Sequence, residues 1–324
     1  MPTHGLQRSI GGAFLCLLTL TGCGFGTPGR PFGRQRVIAF WASGKHQSLS
    51  ALRASPEVVT AIAPFIESVE PDGSVKTKST GTVLSTARKL GIPVTPLFNS
   101  PVSETFLSDA KLRSRAVSAI ANVMKAGHYK GLHLDFEPPH TRYASDLVTF
   151  VAALHSTLPR SSIYLDIVPS SGGAYDYTRL TPLLAGYALM SYDQHSDGSA
   201  PGPVAATPWV QAMTAALLKK IPASHLILGL ATYGYAWPKG STHAKTLPLR
   251  SLPAPAVKAA HFDKASQEMT ATYTLGGTTY TAWWETMTGI RTKVQMAKKD
   301  GLGGVTVWRL GYDTPTLWKT IARA

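Results

Sequence analysis

The chain has 324 residues, of which 44% are hydrophobic and only 15% are charged. This composition excludes an intrinsically disordered chain and allows either one large α/β barrel or two small domains. The formal net charge of +14 favours anionic surfaces such as phospholipid head groups or wall polymers, although solubility alone would explain it equally well. No zinc pattern, aromatic RNA-binding signature or basic run is present, so we expect no nucleic-acid partner.

The first 23 residues differ in pattern from the rest of the chain. Arg8 precedes the apolar run AFLCLLTL at 13–20, which is too short to span a membrane as a stable helix. The run ends in the letters LTGC, with Cys23 last, and resembles a bacterial lipobox, in which this cysteine becomes the lipidated first residue of the mature protein. An ordinary signal peptide that contains a cysteine is the alternative. We expect an extracytoplasmic protein that is anchored to a bacterial membrane through Cys23.

The segment after this leader is a predicted linker. Residues 24–35, GFGTPGRPFGRQ, are rich in Gly and Pro, and about 12 extended residues reach roughly 40 Å. Cys16 and Cys23 are the two cysteines of the chain, so the mature domain has no thiol for a disulfide or a metal. The folded domain is predicted over 36–324 and is expected to work near its membrane.

From residue 36 onward, apolar runs typical of buried strands alternate with amphipathic helices. The predicted strands are 37–42, 58–66, 92–100, 129–137, 162–170, 187–193, 225–237 and 303–311. Helices are predicted at about 108–127, 145–158, 207–220 and 286–299, the third with Thr207 as N-cap and Pro208 at its first position. Eight strands with helices between them predict a (β/α)8 TIM barrel. A doubly wound sheet is the alternative, but no Gly-rich phosphate-binding turn follows the first strand.

One region breaks this alternation of strands and helices. Between Pro238 and Ala282 the chain consists of short pieces rich in Thr, Tyr and Gly. Within it, TATYTLGGTTYTAW reads as a β-hairpin around Gly276 and Gly277. We expect a small β-rich insertion, about residues 238–282, after strand seven, at the face where a barrel carries its active site.

The strand that ends in GLHLDFEPP carries charged residues in an apolar run. Because side chains alternate along a strand, His133, Asp135 and Glu137 share one face, which points into the barrel. Two prolines then end the strand, so Glu137 is expected at the mouth, with Asp135 and His133 in the layers below. Two carboxylates this close repel each other when both are ionised, so the pKa of one of them is raised. A Glu that keeps its proton near neutral pH is a general acid.

Two other interpretations of this row remain. An inward Asp is often a structural carboxylate that accepts hydrogen bonds, but a His-x-Asp-x-Glu row at a strand end favours function. His133, Asp135 and Glu137 are also plausible metal ligands, yet one strand rarely supplies a full site and no second cluster has metal-ligand spacing. We therefore expect neither a metal nor another cofactor.

The same row resembles the signature of glycoside hydrolase family 18, the chitinase family, which is Asp-x-x-Asp-x-Asp-x-Glu. Asp135 and Glu137 occupy its last two positions. Lys130 and His133 stand where the signature has its first and second Asp. The match is therefore moderately specific. Lys130 points away from the His133 row by alternation, so we expect a structural or surface role for it.

Three further segments resemble the spore-germination and cortex-lytic branch of that family, in the same order along the chain. These are SYDQHSDGSAPGPVA at 191–205, ATYGYAW at 231–237 and VTVWRLG at 305–311. Together with the strand-four row they extend the resemblance over roughly residues 36–320, nearly the whole mature chain.

What the resemblance implies is substrate-assisted, retaining hydrolysis at N-acetylglucosamine. Glu137 would be the general acid and base, and the 2-acetamido carbonyl of the sugar would attack the anomeric carbon. Asp135 would orient this acetamido group and Tyr192 would hydrogen-bond to it. Trp308 would form the apolar floor under the sugar, although an ordinary core position is its alternative. The other expected substrate-binding residues are Asp193, Gln194, His133 and Tyr233.

His133 is the departure with the clearest consequence. A cationic His133 would keep Asp135 ionised, whereas a neutral imidazole would act through one hydrogen bond. We therefore expect a changed pH profile rather than lost activity.

The expected substrate is an N-acetylglucosamine-containing polysaccharide. The resemblance to the wall-directed branch, the lipid anchor and the positive charge favour peptidoglycan over chitin. A non-catalytic sugar-binding module is the alternative, disfavoured because Glu137 is retained, and a structural lipoprotein has no support beyond the anchor. We expect a monomer whose partners are this glycan and the membrane.

Overall fold

The computed structural model describes residues 36–43, 48–100, 103–136, 141–168 and 173–324. The predicted lipobox with Cys23, the predicted linker and the predicted acid Glu137 lie outside these ranges. The strands are β1 Arg36–Ala42, β2 Ala61–Val69, β3 Val75–Thr77, β4 Leu97–Asn99, β5 Gly131–Asp135, β6 Ser162–Ile167, β7 Gly186–Leu189, β8 Leu226–Ala231, β9 Tyr233–Pro238, β10 Lys245–Pro248, β11 His261–Asp263, β12 Glu268–Leu275, β13 Thr278–Trp284 and β14 Gly304–Trp308. The helices are α1 Ser50–Arg53, α2 Val83–Leu90, α3 Ser103–Ser108, α4 Ala110–Ala126, α5 Ala144–Thr157, α6 Tyr177–Leu180, α7 Thr207–Leu217, α8 Ala254–Lys258, α9 Met287–Lys299 and α10 Pro315–Arg323.

Eight parallel strands form a closed barrel. Their order is β1, β2, β4, β5, β6, β7, β8 and β14, and β14 pairs again with β1. Each of the eight predicted apolar runs overlaps one of these strands, so the predicted (β/α)8 TIM barrel is confirmed. The short strand β3 pairs antiparallel with the end of β2 and was not predicted, since its polar residues carry no strand pattern.

The alternation of side chains along each strand produces two apolar layers. Inside the barrel, Ile38 and Phe40 of β1 pack with inward residues of the other strands. Outside it, Leu132 and Leu134 of β5 are fully buried among residues of the surrounding helices. Full burial of a leucine side chain stabilises the fold by about 2 kcal/mol, so this outer layer fixes the register that turns His133 inward.

Local capping explains where several helices begin. Asp109 accepts hydrogen bonds from two backbone N–H groups of α4, and Thr286 accepts one from Gly289 at the start of α9. Thr207, predicted as the N-cap of α7, is instead its first residue, and its hydroxyl donates to Oε1 of Gln267 at 2.9 Å. The Thr207 hydroxyl therefore makes a tertiary hydrogen bond instead of capping the helix. None of the described helices is long and apolar enough to cross a bilayer.

A second, five-stranded antiparallel sheet forms the β-rich insertion after strand seven. Its strand order is β10, β9, β13, β12 and β11. The predicted hairpin is present: β12 and β13 pair through Leu275 and Thr278, and Gly276 and Gly277 between them have φ of 58° and 77°. Two successive residues with positive φ are what a type I′ turn requires, which explains the Gly-Gly pair. The sheet has its own core, made of Ala236, Leu247, Ala256, Ala271, Tyr273, Tyr280, Ala282 and Trp284.

The predicted single strand 225–237 is in fact two strands that belong to different sheets. Its first half, β8, pairs with β14 of the barrel, and its second half, β9, pairs with β13 of the insertion. The break falls at Thr232, whose N–H donates to the Trp308 carbonyl at 2.9 Å and whose hydroxyl donates to the Arg309 carbonyl at 3.0 Å. Both halves are apolar and buried, so periodicity alone could not reveal the change of sheet.

Candidate active site

A cavity of ≈ 1460 Å³ opens at the carboxyl ends of the barrel strands. This is the face where a (β/α)8 barrel assembles its reactive groups. The cavity continues outward along α7, where Trp209 and Met213 line it. Its lining at the strand ends includes Phe40, Asp135, Asp166, Tyr192, Asp193, Gln194 and Trp308.

Asp135 is the last residue of β5 and is partly exposed to this cavity. It pairs in register with Asn99 at the end of β4. Phe136, the next residue, is fully buried in the outer apolar layer, where its ring lies 5.5 Å from that of Phe106. A large buried side chain on one side of the strand holds Asp135 on the other, directed at the cavity.

His133 lies one layer deeper and is completely buried. Its Nδ1 atom lies 2.7 Å from Oδ1 of Asp166, on the neighbouring strand β6. The imidazole stacks on Tyr164 at 4.8 Å between ring centroids and meets the edge of Phe40 at 5.1 Å. Burial raises the pKa of the Asp166 carboxyl above its ordinary value, and the charge and hydrogen bond of His133 oppose that rise.

Tyr192 follows β7 and is 8% exposed, with its ring at the cavity. Its ring centroid lies 6.2 Å from that of Tyr233 in an edge-to-face arrangement. Gly229 of β8 makes this position possible, because a Cβ atom there would lie 2.9 Å from Cε1 of Tyr192 and 2.4 Å from the Leu189 carbonyl oxygen. The glycine within the apolar run HLILGLA therefore marks a close approach rather than a weak strand.

Asp193 adopts a left-handed backbone conformation, with φ of 60°, which Asp tolerates better than most residues. Its Oδ1 atom accepts hydrogen bonds from the hydroxyls of Tyr233 at 2.6 Å and Tyr235 at 2.9 Å. Partial desolvation of this carboxyl in the cavity raises its pKa, and the two tyrosine hydroxyls oppose the rise. Asp193 is thus held in place by the first strand of the insertion, β9.

Gln194 and Trp308 complete the wall and floor. Oε1 of Gln194 accepts a hydrogen bond from the N–H of Ala206 at 3.1 Å, which fixes the amide at the cavity rim. Trp308 is the last residue of β14 and is partly exposed, with its ring centroid 5.7 Å from that of Phe40. Carboxylates, a phenol, an amide and an indole face are groups that hydrogen-bond and stack on sugar rings.

A metal centre has no support in the part of the chain that the structure describes. Within it, no group of three or more His, Cys, Asp or Glu side chains is close enough to hold a metal ion.

The family model described as Glycosyl hydrolases family 18 matches residues 100–313, about two thirds of the chain. This chain belongs to glycosyl hydrolases family 18. The resemblance found in the sequence is confirmed, and membership makes the protein a glycosidase.

Two relatives of this family 18 glycosidase are proteins of Bacillus species. It is 25% identical over 241 residues to the uncharacterized glycosylase YvbX of Bacillus subtilis (strain 168), covering 70% of each protein. It is 21% identical over 305 residues to the cortical fragment-lytic enzyme of Bacillus anthracis, covering 86% of this chain and 70% of the relative. The crystal structure of a chitinase from Chromobacterium violaceum ATCC 12472 matches with a TM-score of 0.81 at 19% identity, over 90% of this chain and 98% of that one. Because the identity is only 19%, this likeness is evidence for the fold alone.

The family 18 barrel brings most of the predicted site residues together. The predicted residues that line the cavity are Asp135, Tyr192, Asp193, Gln194 and Trp308. His133 and Tyr233, expected to bind substrate, do not line it; they are buried behind Asp166 and Asp193, which they hold by hydrogen bonds. Glu137 lies outside the described residues.

Sequence reasoning missed Asp166. It stands in SIYLDIVPS, two residues after the inward-facing Tyr164. The same alternation that placed His133 inside the barrel could have placed Asp166 there. The signal was an isolated acidic residue in an apolar strand, which is the pattern that had already singled out Asp135.

Proposed function

We propose that this glycosidase cleaves β-1,4 bonds next to N-acetylglucosamine residues of peptidoglycan, with Glu137 as general acid and base. The observation that carries the proposal is the cavity at the carboxyl end of the barrel, to which Asp135, Tyr192 and Trp308 contribute from three strand ends. Polar groups beside an exposed indole face suit a sugar ring that bears an amide substituent.

In the proposed reaction, Glu137 protonates the glycosidic oxygen as its bond to the anomeric carbon breaks. The carbonyl oxygen of the sugar's own 2-acetamido group attacks that carbon and forms an oxazolinium-like intermediate. Asp135 orients the acetamido group and stabilises its positive charge, while the Tyr192 hydroxyl holds the same group. A water molecule deprotonated by Glu137 then opens the intermediate, so the product retains the anomeric configuration.

The choice of peptidoglycan rests on the relatives and on charge. One relative is named a cortical fragment-lytic enzyme and another a glycosylase. The net charge of +14 favours association with an anionic wall polymer over neutral chitin.

The test uses the detergent-solubilised full chain, purified peptidoglycan and, separately, N-acetylglucosamine oligomers. Products are identified by mass spectrometry, and the anomer formed first is identified by NMR. Glu137→Gln removes the proposed acid. Glu57→Gln, an exposed glutamate in a short turn before β2, is the matched control.

We expect new muropeptides with the wild type and the control, none with Glu137→Gln, and β-anomeric products. Products from the oligomers alone would redirect the proposal to chitin-type glycans. Absence of products from both substrates, with sugar binding intact, would contradict hydrolysis and leave a sugar-binding protein.

The same proposal includes the location of the enzyme. Cys23, at the end of the apolar run of the leader, carries a lipid, and residues 24–35 tether the barrel to the outer side of the membrane. The full chain is expected in the membrane fraction and Cys23→Ala in the soluble or precursor fraction. Equal membrane content of both would contradict lipid anchoring.

A further inference from the structure

The loop between β7 and α7 folds back on itself beside the cavity. Its outgoing arm carries Asp193 and Gln194, which line the cavity. Its returning arm supports Gln194: the N–H of Gln194 donates to the Val204 carbonyl at 2.8 Å, and the Ala206 N–H donates to Oε1 of Gln194 at 3.1 Å. The position of Gln194 therefore depends on where residues 204–206 are held.

A side chain of the second sheet holds residues 204 and 205 of the returning arm, next to Thr207, which bonds to Ser266 and Gln267. Glu268, the first residue of β12, accepts the Val204 N–H at 2.9 Å through Oε2 and the Ala205 N–H at 2.5 Å through Oε1. Val204, Ala205 and Glu268 are at most 1% exposed. Buried backbone N–H groups require acceptors, and this carboxylate serves two neighbouring ones at once.

Glu268 belongs to a buried cluster of three charged side chains. Lys293 of α9 forms an ion pair with Glu285 at the end of β13, and both are at most 1% exposed. Burial, followed by the charge of Glu285, raises the pKa of Glu268 to about 7, while Lys293 and the two backbone N–H groups oppose the rise. The ammonium of Lys293 is paired with Glu285, so the nearby carboxylate of Glu268 is costly to ionise there.

A carboxylate in this position is not needed for packing. An apolar residue would fill the space without the cost of burying a charge, but it would leave two N–H groups without acceptors. What Glu268 provides is a fixed conformation of the loop, because its carboxylate accepts both N–H groups.

We propose that Glu268 is a positioning residue for glycan binding: its two hydrogen bonds fix residues 204–206, and through them Gln194, at the cavity wall. The substrate part of this inference rests on the proposed function. The effect on the loop does not, since it needs no substrate.

Glu268→Gln is the informative substitution. An amide has one oxygen, so one of the two N–H groups then faces the NH2 group and is left without an acceptor. The variant also removes the buried negative charge, so above pH 7 its melting temperature should equal or exceed that of the wild type. If Glu268 had a merely structural role, Glu268→Gln would instead lower the melting temperature of the protein and disorder the loop at the same time.

Glu67→Gln is the matched control. Glu67 is also buried, at 2% exposed, and its pKa is raised by burial, but its partner is Thr77 of β3. It neither lines the cavity nor contacts the loop. Glu268→Asp, which keeps the charge but is one methylene shorter, is the second variant should the first fail to fold.

Two measurements decide the proposal. The first is amide hydrogen exchange of the full chain at pH 8, for which we expect exchange over residues 194–206 to accelerate about tenfold in Glu268→Gln, with β8 unchanged. The second is affinity for an N-acetylglucosamine oligomer, by calorimetry in the Glu137→Gln background, expected to weaken about tenfold. Glu67→Gln should change neither quantity.

The outcomes separate this inference from the proposed function. Unchanged exchange over 194–206 in Glu268→Gln, or in Glu268→Asp if that is the variant that folds, overturns the positioning role. Faster exchange confined to this loop with unchanged sugar affinity overturns its link to binding. If the unsubstituted site binds no sugar, the proposed function fails, while the exchange result still decides whether Glu268 holds the loop.

Discussion

Nδ1 of His133 lies 2.7 Å from Oδ1 of Asp166; both side chains are buried, with Asp166 at the cavity lining and His133 below it. The histidine that replaces an Asp of the family 18 signature therefore has its polar partner on the next strand. We expect His133→Ala to lower the unfolding free energy at pH 7 by about 3–5 kcal/mol, because it leaves a buried carboxyl without its partner. Asp166→Asn, which keeps a hydrogen bond to the imidazole, should cost about 1 kcal/mol.

Chemical denaturation measures both values. His155→Ala is the control, since His155 on α5 is half-buried and its Nδ1 atom bonds to a backbone carbonyl, that of Leu183, at 3.1 Å. Equal losses of unfolding free energy in His133→Ala and His155→Ala would show that the buried pair stabilises the fold no more than a half-buried histidine does.

The pH dependence of hydrolysis should also report this pair. In His133→Asp a second carboxyl would stand against Asp166 and close to Asp135, so the pKa of Asp135 should rise. We expect the acidic limb of the kcat/KM profile to move to higher pH by about one unit. His155→Asp makes the same change of charge away from the cavity and should leave the limb in place. Superimposable profiles of wild type and His133→Asp would refute the expectation.

The hydroxyl of Tyr233 should matter for substrate binding although the side chain does not line the cavity. Tyr233→Phe removes the 2.6 Å hydrogen bond to Asp193 and leaves that carboxyl with Tyr235 alone. We expect kcat/KM to fall about tenfold, as for loss of a hydrogen bond to a charged group. Tyr273→Phe, in the core of the second sheet, removes the same atom and should have no such effect. Unchanged kinetics in Tyr233→Phe would mean that Asp193 needs one partner only.

Gly229→Ala should damage the site without a new charge or a lost hydrogen bond. The added Cβ atom would lie 2.4 Å from the Leu189 carbonyl oxygen and 2.9 Å from the Tyr192 ring, so β7 or the ring must shift. We expect kcat to fall by at least about tenfold, as a shift of about 1 Å in a positioned group does. Gly240→Ala, where a Cβ atom meets no neighbour within 4 Å, is the control: it adds the same methyl group without a clash, although its φ of 77° brings a backbone strain that Gly229 does not have. Full activity in Gly229→Ala would show that Tyr192 tolerates displacement.

Glu268 should make stability fall as pH rises. Its pKa is 4.5 when unperturbed and about 7 in the folded chain, so between these values the folded chain holds a proton that the unfolded chain has released. The unfolding free energy therefore decreases from pH 4.5 to 7, by roughly 3 kcal/mol from this residue, and is constant above. Denaturation of wild type and Glu268→Gln across this range should show the difference. Parallel curves would contradict it.

The barrel was predictable from the sequence because its strands are nearly continuous apolar runs separated by helices. His133 and Asp135 were placed correctly by alternation from the outward Leu132 and Leu134. The boundary at Thr232 was not predictable, since a strand that leaves one sheet for another stays apolar throughout.

The contacts that hold the site together escaped prediction for a different reason. The partners His133 and Asp166 are 33 residues apart, and Glu268 is more than 60 residues from the loop that it holds. A sequence pattern reports the face on which a side chain lies, but not which neighbour it meets across the fold. Hydrogen bonds between distant segments therefore require the structure.

Thr232 has a consequence for protein engineering. Its N–H and hydroxyl bond to Trp308 and Arg309 of the last barrel segment, and its carbonyl accepts the N–H of Leu249, which directly follows β10 of the insertion. Hydrogen bonds therefore connect the insertion to the barrel at this end. An exchange of the insertion between homologous enzymes that begins at Tyr233 would break these bonds. A graft that exchanges this sheet must carry the partners of Thr232 and of Glu268 with it. Without them, the part of the cavity that the insertion supports would be misplaced relative to the barrel strands.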